Sequence, residues 1–283
     1  MESRFKEVLP DRVLRLWPTV CRAEEPGENG DFQPELQVFL HPDGRPRPAV
    51  AICPGGAYII RAPHEGVDIA LRFMALGFHT FVIQYRVAPY RYPEPQRDVI
   101  RAMRLIRAHA AEWNVIPDQI ALCGFSAGGH LAASVGTIGD RIDADAGDEA
   151  DRFSGRPDAL ILGYTVVSFS PPFGHPGCGD NLLGKNAPQE WRAEMELHRQ
   201  VTSDTPPTFL WHTANDEVVP VANALAFAAA LAEKGVPFGL HVFPNGRHGL
   251  GLAEHQADVA EWTALAKQFL AEGIGLVFPG KAE

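Results

Sequence analysis

Cysteine is scarce, with 4 in 283 residues. None of Cys21, Cys53, Cys123 and Cys178 stands in a CxxC pair or in a Cys/His cluster with metal-ligand spacing. That argues against a disulfide scaffold and against a bound structural metal. Cys53 and Cys123 lie in apolar, strand-like runs and read as buried thiols of a reduced protein. Positive charge is also in short supply: 25 Lys and Arg stand against 35 Asp and Glu, a net charge of −10. Such a balance offers no electrostatic reason to hold nucleic acid or an anionic membrane surface. Long apolar runs are missing, so no membrane-spanning helix is expected. The charged first residues lack the apolar stretch of a secretory signal, and together with the reduced cysteines this leads to a cytoplasmic expectation. There is no internal repeat and no low-complexity segment.

What remains is ordinary globular composition, 46% hydrophobic and 21% charged. The length allows one large domain or two small ones, and the rhythm of the chain favours one domain over 1–283. Apolar, β-branched runs predict strands over 13–17, 36–40, 49–53, 79–85, 120–123, 159–163, 208–212 and 238–243. Helical patterns fall between or after them, over 66–76, 98–113, 221–234 and 254–272. The polar stretch 24–31 reads as a loop. Strand–helix alternation predicts an α/β fold, a mostly parallel eight-stranded sheet with helices on both faces and an antiparallel first pair. One stretch, 168–203, breaks the rhythm with Pro171-Pro172, Gly174 and Pro176-Gly177 and a short amphipathic piece over 188–199. It reads as a cap insertion over the carboxyl ends of the strands, where such sheets bind ligands.

The strongest chemical signal is Gly124-Phe-Ser126-Ala-Gly128. It follows a strand and opens a helix, the context that gives a GxSxG sequence meaning. The glycines permit a sharp turn that throws the serine hydroxyl out at the end of the sheet, with Ala127 N–H at the start of the next helix. A serine nucleophile needs a base, and the base needs an orienting acid, in the chain order Ser, acid, His for a sheet of this type. Of the 11 histidines, His248 follows the last strand and is the expected base. His241 lies inside that strand, His130 on the helix after the serine and His255 on the last helix; these three read as structural. The acid is expected after the strand that ends at His212, as Asp216, with Glu217 facing solvent. The stretch between Asp216 and His248 accommodates one helix and one strand. Pro54-Gly55-Gly56-Ala57-Tyr58 follows an early strand, and its small residues let backbone N–H groups approach a negative oxygen. Gly56, Ala57 and Ala127 are the expected oxyanion donors. His212 ends a strand near the site and is a candidate substrate contact, and Tyr58, Trp211 and Trp191 are candidate stacking surfaces for a sugar ring.

Taken together, Pro54-Gly-Gly-Ala-Tyr58, Gly124-Phe-Ser-Ala-Gly-Gly-His130, His212-Thr-Ala-Asn-Asp216 and Arg247-His248-Gly249 resemble the α/β-hydrolase superfamily, closest to its small esterase and lipase branch with the acetyl esterases and acetyl xylan esterases. The resemblance covers nearly the whole chain. It implies a serine acyl-enzyme mechanism with no metal or organic cofactor, and a homodimer is common in that branch. Tyr85-Arg86-Val-Ala-Pro89 with Asp98 also resembles it, and there the arginine and aspartate are structural partners near the oxyanion loop. The chain departs from the pattern at Ala57, where a third glycine is usual and a Cβ narrows the pocket, and at Asn215, where a second aspartate is common. The expected function is a serine carboxylic ester hydrolase acting on short acyl esters, with O-acetylated sugars or xylo-oligosaccharides as substrates. A serine peptidase of the prolyl-oligopeptidase kind shares the elbow and the triad order but carries a large gating domain for which the chain has no room. A catalytically dead hydrolase fold used for binding would have lost a triad member, and all three are here.

Overall fold

The computed structural model describes residues 8–22 and 32–279; the loop expected over 24–31 and the charged residues 1–7 lie outside them. Among the described residues eight strands form one sheet: β1 (Arg12–Arg15), β2 (Glu35–Phe39), β3 (Arg47–Cys53), β4 (His79–Gln84), β5 (Val115–Phe125), β6 (Ala159–Gly163), β7 (Thr208–Thr213) and β8 (Phe238–Phe243). Their order is β1-β2-β4-β3-β5-β6-β7-β8. The pairs β1–β2 and β2–β4 are antiparallel and every later pair is parallel. Parallel strands need crossovers, and here these carry helices to both faces.

The period of two along each central strand divides the core. Ala49, Ala51 and Cys53 of β3, Leu122 of β5 and Leu160 and Leu162 of β6 face one layer. Helices α2 (Glu94–Ala108), α3 (Ala110–Trp113), α4 (Ser126–Ile138) and α7 (Ala222–Glu233) supply it through residues such as Met103, Trp113, Leu131 and Phe227. Val50, Ile52, Ala121, Cys123, Ile161 and Trp211 face the other, covered by α1 (Val67–Ala75), α8 (Ala257–Ala260) and α9 (Trp262–Gln268) with Phe73 and Trp262. Cys53 and Cys123 are fully buried, and burial pushes both thiols above their ordinary range. Among the described residues no helix is long and apolar enough to cross a membrane.

The element boundaries differ from the sequence pattern for local reasons. Helix α2 starts at Glu94, four residues ahead of the periodic stretch, because Pro95 in its first turn already has a helical φ and needs no N–H partner. It breaks at His109, and α3 ends at Asn114 in the left-handed region (φ +55°). Strand β5 is longer than the apolar run, reaching back to Val115 to pair with Arg47 across an irregular register. The last helix divides into α8 and α9 and starts late. Gly249, Gly251 and Ala253 all have positive φ, and Gln256 N–H closes a turn onto Ala253 O at 2.8 Å. His255 therefore lies in a turn and not on a helix.

Segment 168–203 holds α5 (Pro176–Leu183), α6 (Gln189–Glu194) and a tight turn at Leu197–Arg199. Phe169, Cys178, Leu182, Leu183, Met195, Leu197 and Val201 are buried in the layer of α2, α4 and α7. Polar straps close its ends. Leu197 N–H donates to Val167 O at 2.8 Å, and Glu196 Oε1 accepts from Phe169 N–H at 3.1 Å. Asn223 of α7 accepts from Val167 N–H at 3.0 Å and donates to Phe173 O at 2.8 Å.

Candidate active site

The turn between β5 and α4 is set by close backbone approach. A Cβ on Gly124 would stand 2.2 Å from Gly128 O, and one on Gly128 would stand 2.2 Å from Cys53 O and 2.5 Å from Pro54 O. Only glycine fits at either place. Ser126 is held between them at φ +52°, a conformation that costs a non-glycine residue about 1–3 kcal/mol. Its hydroxyl is thereby aimed away from the strand and toward the loop that follows β8.

There Ser126 Oγ–H donates to His248 Nε2 at 2.8 Å, and His248 Nδ1–H donates to Asp216 Oδ2 at 2.7 Å. The second bond fixes the tautomer that leaves Nε2 free to accept. The other carboxylate oxygen, Oδ1, accepts from Val218 N–H at 2.9 Å and Val219 N–H at 3.0 Å. His212 stands behind the carboxylate, with Nε2 2.9 Å from Val219 O and 3.5 Å from Asp216 Oδ2. Burial favours the neutral acid, yet the hydrogen bonds from His212, His248 and Val219 N–H outweigh it and hold the Asp216 carboxyl well below the usual carboxylate range. Asn215 joins the acid loop to the histidine loop by accepting Gly246 N–H at 2.8 Å. Tyr164 lies edge-on to the His248 ring at 5.1 Å. Glu217 is exposed.

The turn after β3 abuts the serine: a Cβ on Gly55 would stand 3.1 Å from Ser126 Cβ. Gly56, Ala57 and Tyr58 all have positive φ, at 128°, 53° and 60°. Among the described residues the N–H groups of Gly56 and Ala57 have no hydrogen-bond acceptor. Ala127 is the second residue of α4, where an N–H has no intrahelical partner. Gly55 N–H is held by the buried Glu65 carboxylate at 2.7 Å, whose other oxygen accepts from Tyr164 OH at 2.6 Å. Tyr85 OH donates to Pro54 O. Under this turn Arg86 Nε and Nη2 grip the fully buried Asp98, at 2.9 and 2.7 Å, and Trp17 Nε1 adds a 2.6 Å bond.

The expected substrate contacts differ. Tyr58, Trp211 and His212 are at most 1% exposed. Trp211 belongs to the core on the α1 and α9 side, stacked on Trp262 at 5.1 Å, because the alternation of β7 points it away from the layer that holds α4. Tyr58 is turned inward and its hydroxyl donates to His130 Nδ1 at 2.9 Å; His130 Nε2–H donates to Met195 O at 3.2 Å. His212 is engaged with Val219 and the acid. None of the three offers a ring face to a ligand, while Trp191 is 40% exposed and meets Tyr92 edge-on. A cavity of about 560 Å³ with a mixed lining lies beside the turn, its polar groups from Arg91, Asp180, Asn181, Lys185 and Asn186 and its apolar wall including Ala88 and Leu183. Asn181 and Ala88 of that wall hold the Ala57 and Tyr58 carbonyls, each at 2.8 Å. Glu65, Tyr164 and Asn181 escaped the sequence reading, since each is a single polar residue with no motif around it. Among the described residues no group of three or more His, Cys, Asp or Glu side chains could hold a metal ion.

Residues 36–231 match the family described as BD-FAE, a span that ends before His248. Endo-1,4-beta-xylanase B of Butyrivibrio fibrisolvens is 37% identical over 229 residues, 80% of this chain and 36% of that protein. An acetylxylan esterase of Xylanibacter ruminicola is 29% identical over 228 residues, 78% of this chain and 44% of its own. Among solved structures, an acetyl ester-xyloside bifunctional hydrolase from Caldicellulosiruptor lactoaceticus is 41% identical with a TM-score of 0.88, covering 96% of this chain and 100% of that one. The chain thus spans less than half the length of the two curated relatives named.

Proposed function

The chain belongs to the BD-FAE family and has the α/β-hydrolase fold, and from that premise we propose that it is a serine carboxylic ester hydrolase for short acyl esters, foremost O-acetyl groups on sugars such as xylo-oligosaccharides. The observation that carries this reading is the unbroken hydrogen-bond relay Ser126–His248–Asp216 beside a turn with unaccepted N–H groups. Ser126 Oγ attacks the ester carbonyl carbon as His248 Nε2 takes its proton. The carbonyl electron pair moves onto oxygen, which the N–H groups of Gly56, Ala57 and Ala127 receive. Collapse expels the alcohol with the proton from His248 and leaves Ser126 acylated. Water then attacks, losing its proton to His248, and a second collapse releases the acid. Asp216 keeps Nδ1–H in place and supports the imidazolium. It stays ionised through the neutral range because its neighbours hold its carboxyl low.

Two features support the finer reading. The large apolar residues of 168–203 named above are spent on the core and do not build an extended acyl channel. The cavity beside the oxyanion turn presents amide, carboxylate and cationic groups suited to hydroxyls of a sugar alcohol portion. The names of the xylan-directed relatives point the same way.

Ser126→Ala tests the reaction: acetate release from p-nitrophenyl acetate is expected to fall by about 10⁴-fold or more. Retention of wild-type turnover would remove the proposal. A series of p-nitrophenyl esters is expected to peak at short chains, and a peak beyond about eight carbons would contradict the acyl assignment. Acetylated xylo-oligosaccharides set against simple aryl acetates test the alcohol.

A further inference from the structure

Two adjacent non-glycine residues, Ala57 and Tyr58, sit in the left-handed region at the centre of the oxyanion turn. The turn's own bonds anchor only its first peptide planes. Gly55 O accepts from Ala62 N–H at 2.9 Å, and Gly56 O accepts from Ile59 N–H at 2.9 Å and Ile60 N–H at 3.1 Å. Those bonds tie down the oxygen edge of the planes that carry Gly56 N–H and Ala57 N–H, and a plane held at one edge can still rock about that contact. The next plane, from Ala57 to Tyr58, has its carbonyl outside the turn, and this plane decides whether Ala57 can relax to negative φ.

Ala88 N–H holds the next carbonyl, Tyr58 O, at 2.8 Å, while the groups that reach the Ala57–Tyr58 plane itself and the partner of the Tyr58 hydroxyl come from segment 168–203. Asn181 Nδ2–H of α5 donates to Ala57 O at 2.8 Å. Met195 O, just after α6, accepts from His130 Nε2–H, which sets His130 Nδ1 to accept from Tyr58 OH. Phe169 stacks on the same imidazole at a centroid distance of 4.3 Å. Three points of one insertion thus converge on two strained residues through one direct bond and one buried relay.

We propose that segment 168–203 acts as a clamp on the oxyanion turn, with Asn181 a positioning residue that keeps Ala57 N–H aligned for the developing oxyanion. This rests on the esterase reading above. Asn181 also lines the neighbouring cavity, so a direct contact with substrate is the competing role, and kinetics separate the two. Oxyanion donors act on charge present only in the transition state, so their misalignment lowers kcat and leaves KM nearly unchanged.

The test is Asn181→Asp, which keeps the shape and loses the donor, with Asn181→Leu as a second removal of the donor. Each is measured with p-nitrophenyl acetate at a temperature well below that variant's own melting midpoint. The expected result is a kcat loss of about 10–100-fold with KM within about threefold. Affinity for phenylboronic acid, whose tetrahedral serine adduct uses the same donors, is expected to fall in parallel. Unchanged kcat and unchanged boronate affinity in the folded variants would overturn the clamp. So would a rise in KM at constant kcat, which would make Asn181 a substrate contact. Turnover surviving in Ser126→Ala would instead strike the esterase reading, so the two failures are told apart.

Discussion

The turn that carries Ser126 and the turn after β3 stand side by side and both hold residues at positive φ, yet they are held in partly different ways. Ser126 is kept at +52° by backbone packed on backbone, with Gly124 against Gly128 O and Gly128 against Cys53 O and Pro54 O. Ala57 and Tyr58, at +53° and +60°, follow two glycines that also pack on backbone, Gly55 against Phe125 O and Gly56 against Ile60 O, and are held in addition by Ala88 N–H and by side chains brought from elsewhere, Asn181 and His130. One turn is locked by what its glycines lack. The other adds to glycine packing at Gly55 and Gly56 a set of polar side-chain contacts on Ala57 and Tyr58 that substitutions remove. Strain can be stored near a reaction centre by either route, provided the surroundings over-determine it.

Gly128→Ala gives the sharpest break in the first turn. Its new Cβ meets two backbone oxygens and no flexible side chain, so the turn must move. We expect a loss of about 3 kcal/mol or more in urea unfolding, and at least about 100-fold in kcat through displacement of the hydroxyl. A variant with native stability and turnover would mean that the packing of this turn is not rigid.

An intermediate effect is expected from acid and tests the polar side of the comparison. Burial pushes the His130 imidazole down to about 3 from 6.5, and burial likewise pushes His79 down to about 4. Below pH 6.5 the unfolded chain takes up protons that these folded imidazoles refuse. Stability is therefore complete above 6.5 and is lost as pH falls toward the folded values, by about 1.4 kcal/mol per pH unit for each histidine. In His130→Phe the slope of unfolding free energy between pH 6 and 4.5 is expected to be shallower by about that amount, the His79 share remaining. An unchanged slope would mean that the fold accepts a charged imidazole beside Tyr58.

The smallest effect belongs to Ala57→Gly. Glycine relieves the left-handed strain and enlarges the unfolded ensemble, and the two changes oppose each other. The expected net change in stability is within about 1 kcal/mol, with kcat within about threefold of wild type in p-nitrophenyl acetate assays. A collapse of activity would show that the Cβ itself contributes to the geometry.

Much of the frame was legible because its signals are local. The alternation of strand and helix, the eight apolar runs and the glycines around Ser126 are patterns of near neighbours, and each has a steric or hydrophobic cause that acts within a few residues. The positions of Asp216 and His248 after successive strands follow from the direction of a parallel sheet, and their side chains do meet that of Ser126. The boundaries were less legible. The start of α2 at Pro95 and the late start of α8 depend on capping and on positive-φ turns that periodicity does not see. The inward turn of Tyr58 and Trp211 was hidden as well. An aromatic residue near a site looks the same in sequence whether it faces a ligand or the core.

By itself the sequence determined the sheet, the sharp turn at Ser126 and the chain order of the three hydrogen-bonded side chains Ser126, Asp216 and His248, since period, glycine sterics and strand direction are encoded within short stretches. Only the tertiary structure decided that Glu65 holds Gly55, that Asn181 reaches Ala57 and that His130 joins Tyr58 to Met195. A hydrogen bond acts over about 3 Å, and nothing in the chain order of such residues shows which of them folding will bring within that distance.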